Sequence, residues 1–222
     1  MDRENKIRKA FFFGDSNTFG YDPAGFMGGR YPREQRWTTI LQNNLADTWQ
    51  IESDGLPGRA VPVTRYEWDY LRSLVQRALP LDLFAVMLGT NDLLGTLRPS
   101  AAKTAGMMNE LLTFVKAAAG NQGKDLQILL IAPPAIKLVD MSYEEPYVSG
   151  DKSYTDIYEE EGRKLSQYYR ELARYRKVLF ADASEWPLSF AFDGVHLSEE
   201  GHAAFAQYMT EVLRQIPDPE DT

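Results

Sequence analysis

Five short segments of the chain have the pattern of buried β-strands. Residues 11–13, 83–88 and 126–132 are nearly continuous apolar runs, and residues 50–53 and 178–181 are further candidates. Three of these runs lack the polar alternation of a strand that has one face in water. Strands of that kind are typical of a parallel sheet that is covered on both faces.

Apolar residues recur at helical spacing between the strand candidates. The predicted helices cover residues 37–45, 66–79, 100–119, 153–174 and 198–216. Ser198 is expected to be the N-cap of the last helix. Strand and helix therefore alternate five times, which favours right-handed connections between parallel strands. We expect an α/β fold of three layers, with a five-stranded parallel sheet between helices, as in flavodoxin-like proteins.

Two segments have no consistent period and are interpreted as functional loops. Residues 21–36 are rich in glycine, proline and aromatic side chains, and residues 135–152 are interpreted as an active-site loop or lid. Residues 217–222 are expected to fray. With 44% hydrophobic residues in a length of 222, the chain can build one sizeable core. We therefore predict a single domain over residues 1–222.

Glycine-containing polar turns follow the first three strand candidates, at residues 14–17, 55–58 and 89–92. Ligands of open parallel sheets bind beyond the carboxyl ends of the strands, so these turns are expected at one shared edge. Ser16 lies in the first turn. Because a serine hydroxyl alone is a weak nucleophile, catalysis by Ser16 requires a base elsewhere in the chain.

Two histidines are available as that base, His196 and His202. Asp193 precedes His196 across a glycine, a spacing that lets the carboxylate orient the imidazole of a serine triad. The alternative is a surface turn in which Asp193 caps a helix. His202 falls inside the last predicted helix, where we expect it to be packed or exposed rather than catalytic.

An acyl-transfer site also needs hydrogen-bond donors for the oxyanion that develops on the substrate. The backbone N–H groups of Ser16 and Gly58 and the side-chain amide of Asn91 lie in the three polar turns and could meet there. Asp15, next to Ser16, is interpreted as structural, because its carboxylate can accept backbone N–H groups of its own loop.

Composition narrows the class of partner. The net charge of -8, from 32 acidic and 24 basic residues, opposes nucleic-acid binding, and the absence of cysteine excludes disulfides and thiolate metal sites. No stretch has the roughly 20 apolar residues of a membrane span or the pattern of a signal peptide. We expect a cytoplasmic protein that acts on small molecules without a cofactor. A metal site built from Asp15, Asp193, His196 and His202 is an alternative.

Taken together, the polar turns and the histidine loop resemble the SGNH hydrolases, also called the GDSL esterase family. The four blocks appear in family order: Gly14-Asp15-Ser16-Asn17, Gly55-Leu56-Pro57-Gly58, Gly89-Thr90-Asn91-Asp92 and Asp193-Gly194-Val195-His196. The resemblance implies that Ser16 is the nucleophile, His196 the base and acid, and Asp193 its orienting carboxylate. It also implies that Ser16, Gly58 and Asn91 are the oxyanion donors.

Within that family, the chain is most similar to bacterial arylesterases and acyltransferases, through Pro80-Leu81-Asp82-Leu83 before the third block. That branch is intracellular and forms homo-oligomers, and the resemblance implies both properties here. Asn17 departs from the usual leucine, and Phe19 and Tyr21 stand where the branch tends to have tryptophan. The residues expected to contact substrate are Asn17, Phe19, Tyr21, Thr90 and Val195.

The predicted function is that of a serine esterase that hydrolyses, or transfers, short acyl groups of aryl and alkyl esters. A carbohydrate O-deacetylase would use the same catalytic residues, and a non-catalytic flavodoxin-like binding protein is the alternative outside enzymes. Aromatic and methionine residues of the loops suggest a pocket for an apolar ester, or else cover helix faces or a subunit interface. They are Phe19, Tyr21, Phe26, Met27, Met141, Tyr143, Trp186 and Phe190.

Overall fold

The computed structural model describes residues 7–25, 29–123, 126–138 and 154–217. Five parallel strands form the main sheet, in the order β4-β1-β5-β6-β7. Within the described residues the strands are β1 (Arg8–Gly14), β2 (Tyr21–Asp22), β3 (Gly29–Arg30), β4 (Trp49–Gly55), β5 (Leu83–Met87), β6 (Gln127–Ala132) and β7 (Leu179–Asp182). Strands β2 and β3 pair antiparallel in a separate hairpin. The predicted five-stranded parallel sheet is confirmed.

Helices cover both faces of the main sheet. In the same part of the chain they are α1 (Ser16–Phe19), α2 (Trp37–Asn44), α3 (Arg65–Ala78), α4 (Thr90–Leu94), α5 (Ala101–Ala119), α6 (Tyr154–Arg176) and α7 (Glu199–Arg214). Alternate side chains of β1 enter opposite layers, as the pleat of a strand requires. Phe11 and Phe13 pack with α3, α5 and α6, whereas Phe12 packs with α2 and α7. The three-layer α/β architecture is therefore confirmed.

Local sequence fixes where two of these helices begin. Thr64 and Glu67 form a reciprocal capping box at the start of α3, in which each side chain accepts a backbone N–H of the other residue. Ser198 Oγ accepts the Gly201 N–H at 3.1 Å, so the predicted N-cap of α7 is confirmed.

The structure contains short elements that the sequence pattern did not indicate. Helices α1 and α4 follow directly after strands and contain 4 and 5 residues, too few to show a helical period. The predicted loop at 21–36 contains the β2–β3 hairpin and a 3-10 turn at Arg33–Gln35.

Several sequence predictions concern segments beyond the described residues. Residues 135–138 of the predicted lid have no regular secondary structure, and residues 139–152 lie outside the described ranges. The loop residues Phe26, Met27, Met141 and Tyr143 and the tail residues 218–222 also lie outside them. No helix in the described ranges is both long and apolar enough to cross a membrane.

Candidate active site

Ser16 is the first residue of α1, immediately beyond the end of β1. At Gly14 no side chain would fit, because a Cβ atom there would lie 2.0 Å from Thr18 Oγ1. The Asp15 carboxylate caps α1 by accepting the Asn17 N–H at 3.0 Å. Ser16 is therefore held at the edge of the sheet, with 5% of its surface exposed.

The loop before α7 brings His196 to Ser16. His196 Nε2 lies 3.0 Å from Ser16 Oγ, and His196 Nδ1 lies 2.6 Å from Asp193 Oδ2. Gly194 turns the chain between these two residues with φ +68°, a left-handed conformation that favours glycine. The fold thus aligns a hydroxyl, an imidazole and a carboxylate that come from opposite ends of the chain.

Asp193 is anchored within its own loop. Its Oδ1 accepts the N–H groups of Val195 and His196, both at 3.0 Å. Burial by itself would raise the pKa of Asp193, but hydrogen bonds from the His196 ring and from these two N–H groups outweigh burial. The pKa of Asp193 therefore lies below its usual value. The carboxylate is charged at neutral pH and favours a proton on His196 Nδ1, which leaves Nε2 to act as a base.

The carboxyl group of Asp15 is buried beside this line of contacts. Burial raises the pKa of Asp15 to about 6, although the Asn17 N–H and the charges of His196 and Arg59 act in the opposite direction. Its hydrogen bond to the Asn17 N–H is of the structural kind that the sequence indicated.

The second histidine, His202, is packed inside α7. Its ring lies 5.2 Å from the ring of Tyr31, centroid to centroid, and neither ring nitrogen has a hydrogen-bond partner among the described residues. Burial, together with smaller effects of the charges of Arg36 and His196, lowers the pKa of His202 to about 4. In the described ranges, no group of three or more His, Cys, Asp or Glu side chains could hold a metal ion.

Side chains of the third polar turn hold the second one in place. Asn91 Nδ2 donates to Arg59 O at 2.9 Å, and both oxygens of Asp92 accept the Val61 N–H at 3.2 Å. Gly58, directly before Arg59, adopts φ +77°. Burial outweighs the hydrogen bond from the Val61 N–H and raises the pKa of Asp92 to about 6. The structure therefore brings the segments of Gly58 and Asn91 together.

Arg59 joins the second turn to the first, and sequence reasoning did not select it. Its guanidinium donates to Gly14 O at 2.8 Å and to Asp54 O at 2.6 Å, and it pairs with the Asp54 carboxylate. It also lies 4.2 Å from the centre of the Phe13 ring. The feature of the sequence that could have pointed to Arg59 is its position immediately after Gly58, the last residue of the second block.

Two of the predicted substrate contacts are aromatic residues near the catalytic loop. The ring of Tyr21 lies 4.6 Å from the His196 ring, centroid to centroid. The ring of Phe19 lies 4.0 Å from the Arg30 guanidinium carbon, which covers one face of it. Tyr21 is therefore the one of this pair that borders the His196 imidazole directly.

The other predicted contacts are more enclosed. Thr90 is buried at the start of α4, and Val195 is partly exposed. Asn17 is 3% exposed, and its side-chain amide bonds to the backbone of Val195 and Leu197. Both polar atoms of the Asn17 amide therefore bond to backbone groups of the His196 loop, and contact between Asn17 and the substrate stays a prediction.

An open cavity of about 440 Å³ adjoins Gly58. Leu56, Pro57, Tyr66 and Tyr70 contribute apolar and aromatic walls to it. Ser16 and His196 are not among its lining residues, so this cavity neighbours the candidate oxyanion donor rather than the nucleophile.

The model of the GDSL-like lipase/acylhydrolase family matches residues 12–204, a span that contains all four sequence blocks. The chain belongs to this family. It is accordingly a carboxylic ester hydrolase, and the alternative of a non-catalytic binding protein is set aside. No curated protein sequence matches the chain.

Solved structures similar to this GDSL-family chain include esterases of two kinds. A carbohydrate acetylesterase from Sinorhizobium meliloti is 29% identical, with a TM-score of 0.76 and coverage of 93% of this chain and 98% of that one. The aryl esterase of M. smegmatis is 27% identical, with a TM-score of 0.78 and coverage of 95% of this chain and 100% of that one. The SGNH hydrolase fold expected from the sequence is thereby confirmed.

Proposed function

We propose that this hydrolase works through an acyl-enzyme formed on Ser16. His196 Nε2, 3.0 Å from Ser16 Oγ, takes the hydroxyl proton as the oxygen attacks the ester carbonyl carbon. The bond to the alcohol then breaks, and His196 gives the proton to the departing oxygen. Water attacks the acyl group with the same assistance, which releases the carboxylic acid and restores Ser16. The continuous contact from Ser16 Oγ through the His196 ring to Asp193 is the observation that carries this proposal.

We assign the developing oxyanion to three donors: the backbone N–H groups of Ser16 and Gly58 and the side-chain amide of Asn91. The hydrogen bond from Asn91 Nδ2 to Arg59 O supports this assignment, because it fixes the amide beside the Gly58 segment. One amide hydrogen serves Arg59 O, and the other is assigned to the substrate oxygen. Proton transfer and charge stabilisation both come from protein groups, so the proposed reaction uses no cofactor.

The preferred substrates are small esters with short acyl chains and aryl or alkyl alcohols. Two features support an apolar alcohol, the Tyr21 ring beside His196 and the aromatic wall of Tyr66 and Tyr70 near Gly58. An O-deacetylase of acetylated sugars is the second candidate, because a carbohydrate acetylesterase is as similar to the chain as an aryl esterase is. The ratio of kcat/KM for p-nitrophenyl acetate and for an O-acetylated sugar separates the two.

Three finer properties follow from the family resemblance alone and are proposed on that basis. They are transfer of the acyl group to an alcohol other than water, assembly into a homo-oligomer, and a cytoplasmic location. Transfer predicts that a second ester accumulates when an alcohol is added to the assay. Analytical sedimentation of the purified protein measures the number of subunits in the oligomer.

Labelling with a fluorophosphonate tests the nucleophile directly. The reagent should modify the wild-type chain, and mass spectrometry should place the adduct on Ser16. Ser16→Ala should lose labelling and lower kcat by about 10⁶-fold. Ser73→Ala removes a serine hydroxyl that bonds within α3, and it should label as the wild type does. An adduct on another residue, or a Ser16→Ala variant with a tenth of the wild-type turnover, would remove Ser16 from the mechanism.

A further inference from the structure

Asn17, the residue after the candidate nucleophile, reaches across to the loop that carries His196. Its Nδ2 donates to Val195 O at 3.2 Å, and its Oδ1 accepts the Leu197 N–H at 2.9 Å. The side chain is 3% exposed. Its amide therefore bonds to the backbone immediately before and immediately after His196, in the way that a neighbouring strand would.

The backbone of Asn17 is itself held by hydrogen bonds on both sides of its Cα atom. Its N–H is accepted by the Asp15 carboxylate at 3.0 Å, and its carbonyl oxygen accepts Trp37 Nε1 at 2.9 Å. Trp37 is a fully buried side chain of α2. The amide of Asn17 consequently projects from a rigid base rather than from a mobile turn.

The bonds of Asp193 do not provide this connection. Asp193 bonds to the His196 ring and to the N–H groups of Val195 and His196, all within one loop. Those bonds set the orientation of the imidazole relative to its own backbone. Between that backbone and the segment of Ser16, the Asn17 amide forms two hydrogen bonds.

We propose that Asn17 is a positioning residue that holds His196 Nε2 at hydrogen-bond distance from Ser16 Oγ. This inference rests on the proposed function of Ser16 and His196. An apolar residue in place of Asn17 would leave Val195 O and the Leu197 N–H without their partner inside the protein, and the loop would shift to find new ones. A displacement of about 1 Å between reacting groups can reduce the rate by about 10²-fold.

Two variants with the same number of side-chain heavy atoms and the same branching as asparagine test the proposal by kinetics. Asn17→Leu removes both bonds, and it should lower kcat by about 10²-fold while KM changes little. Asn17→Asp keeps an acceptor for the Leu197 N–H but loses the donor to Val195 O, so its kcat should also fall below that of the wild type. Asn44→Leu is the matched control, since Asn44 Nδ2 donates to Thr210 Oγ1 at 3.1 Å between α2 and α7. Its kcat should equal that of the wild type.

Hydrogen exchange provides a measurement that does not depend on activity. The amide of Leu197 should exchange faster in Asn17→Leu than in the wild type, and it should stay protected in Ser16→Ala and in Asn44→Leu. Equal kcat for the wild type and both Asn17 variants, or unchanged exchange at Leu197 in a folded Asn17→Leu, would overturn the positioning role. Failure of fluorophosphonate to label wild-type Ser16 would instead refute the proposed function. The exchange rate at Leu197 would still show whether the Asn17 amide holds the backbone beside His196.

Discussion

Asn91 combines a structural bond with a proposed catalytic one. Its amide nitrogen carries two hydrogens, and one of them is donated to Arg59 O at 2.9 Å. That bond holds the amide in a fixed direction before any substrate arrives. Such preorganised donors stabilise a transition state because they need no reorientation when charge develops on the substrate oxygen.

Replacement of Asn91 should therefore slow the reaction more than it weakens substrate binding. Asn91→Ala should lower kcat by about 10²- to 10³-fold, the range measured for one oxyanion donor, with little change in KM. Steady-state kinetics with a p-nitrophenyl ester measures the effect. Asn109→Ala is a suitable control, because Asn109 accepts a hydrogen bond from Arg176 between α5 and α6. An unchanged kcat in a folded Asn91→Ala would leave Asn91 as a loop residue.

The sequence predicts some residues of the site better than others. Ser16, Asp193 and His196 belong to short blocks whose residue types suggest their chemistry, and the structure brings all three together. Their catalytic roles stay predictions until the labelling experiment. The bonds of Asn17 and Arg59 were not predictable, since their partners lie up to 180 and 45 residues away. Only the folded chain shows which backbone groups those side chains reach.

Among the elements of the fold, the end of β4 packs directly against α1. A Cβ atom on Gly55 would lie 2.2 Å from Phe19 N and 2.6 Å from Phe19 Cα. These are backbone atoms of the helix that begins with Ser16, so no side chain can yield to relieve the overlap. The close approach of β4 to α1 therefore depends on the absence of a side chain at Gly55.

Gly55→Ala should consequently move α1 and disturb the nucleophile. We expect a loss of about 1 to 3 kcal/mol in the free energy of unfolding, as for other overpacked sites, and a lower kcat because Ser16 shifts relative to His196. Urea unfolding and steady-state kinetics measure the two effects. Wild-type stability together with wild-type kcat would show that the β4–α1 contact tolerates a methyl group.

The same substitution in an open helix should have the opposite sign. Gly106 lies inside α5, and a Cβ atom there would meet nothing within 4 Å. Gly106→Ala should raise the free energy of unfolding by about 0.5 to 1 kcal/mol, because alanine loses less conformational freedom in a helix. Urea unfolding tests this, and kcat should not change. A destabilised Gly106→Ala would mean that α5 has a neighbour at this position.

Long elements were predictable from the sequence and short ones were not. The helices at 100–119 and 66–79 were located within one residue at each end, because several turns repeat the same apolar face. The four residues of α1 and the two-residue strands β2 and β3 have no period to detect. Their formation depends on contacts outside the segment, such as the Asp15 cap of α1.

In the molecule as a whole, strand order assembles the site. The three polar turns follow β1, β4 and β5, and these strands are adjacent in the sheet. All three turns therefore open at the same edge, as expected for parallel strands. The sequence predicted that the strands were parallel, whereas their order depends on pairing between distant segments. The single domain over residues 1–222 stays a prediction.

Buried titratable groups give the folded molecule opposing responses to pH. Burial raises the pKa of Asp15 and Asp92 to about 6, so from about pH 4 to 6 the native state binds more protons than the unfolded chain. Their contribution to the free energy of unfolding decreases as the pH rises through that window. Burial lowers the pKa of His202 from 6.5 to about 4, so there the unfolded chain binds the additional proton. The contribution of His202 therefore increases as the pH rises.

Replacement of His202 should make the variant gain stability relative to the wild type as the pH falls. The free energy of unfolding of His202→Leu, relative to the wild type, should shift in favour of the variant by about 3 kcal/mol from pH 7 to pH 4. Urea unfolding followed by tryptophan fluorescence across this range measures the shift. Thr210→Val is the control, because Thr210 is buried in the same helix and does not titrate. The contrary result would be a difference in the free energy of unfolding between His202→Leu and the wild type that is the same at every pH. The native state would then accept the imidazolium as readily as the unfolded chain does, and burial would not set the pKa of His202.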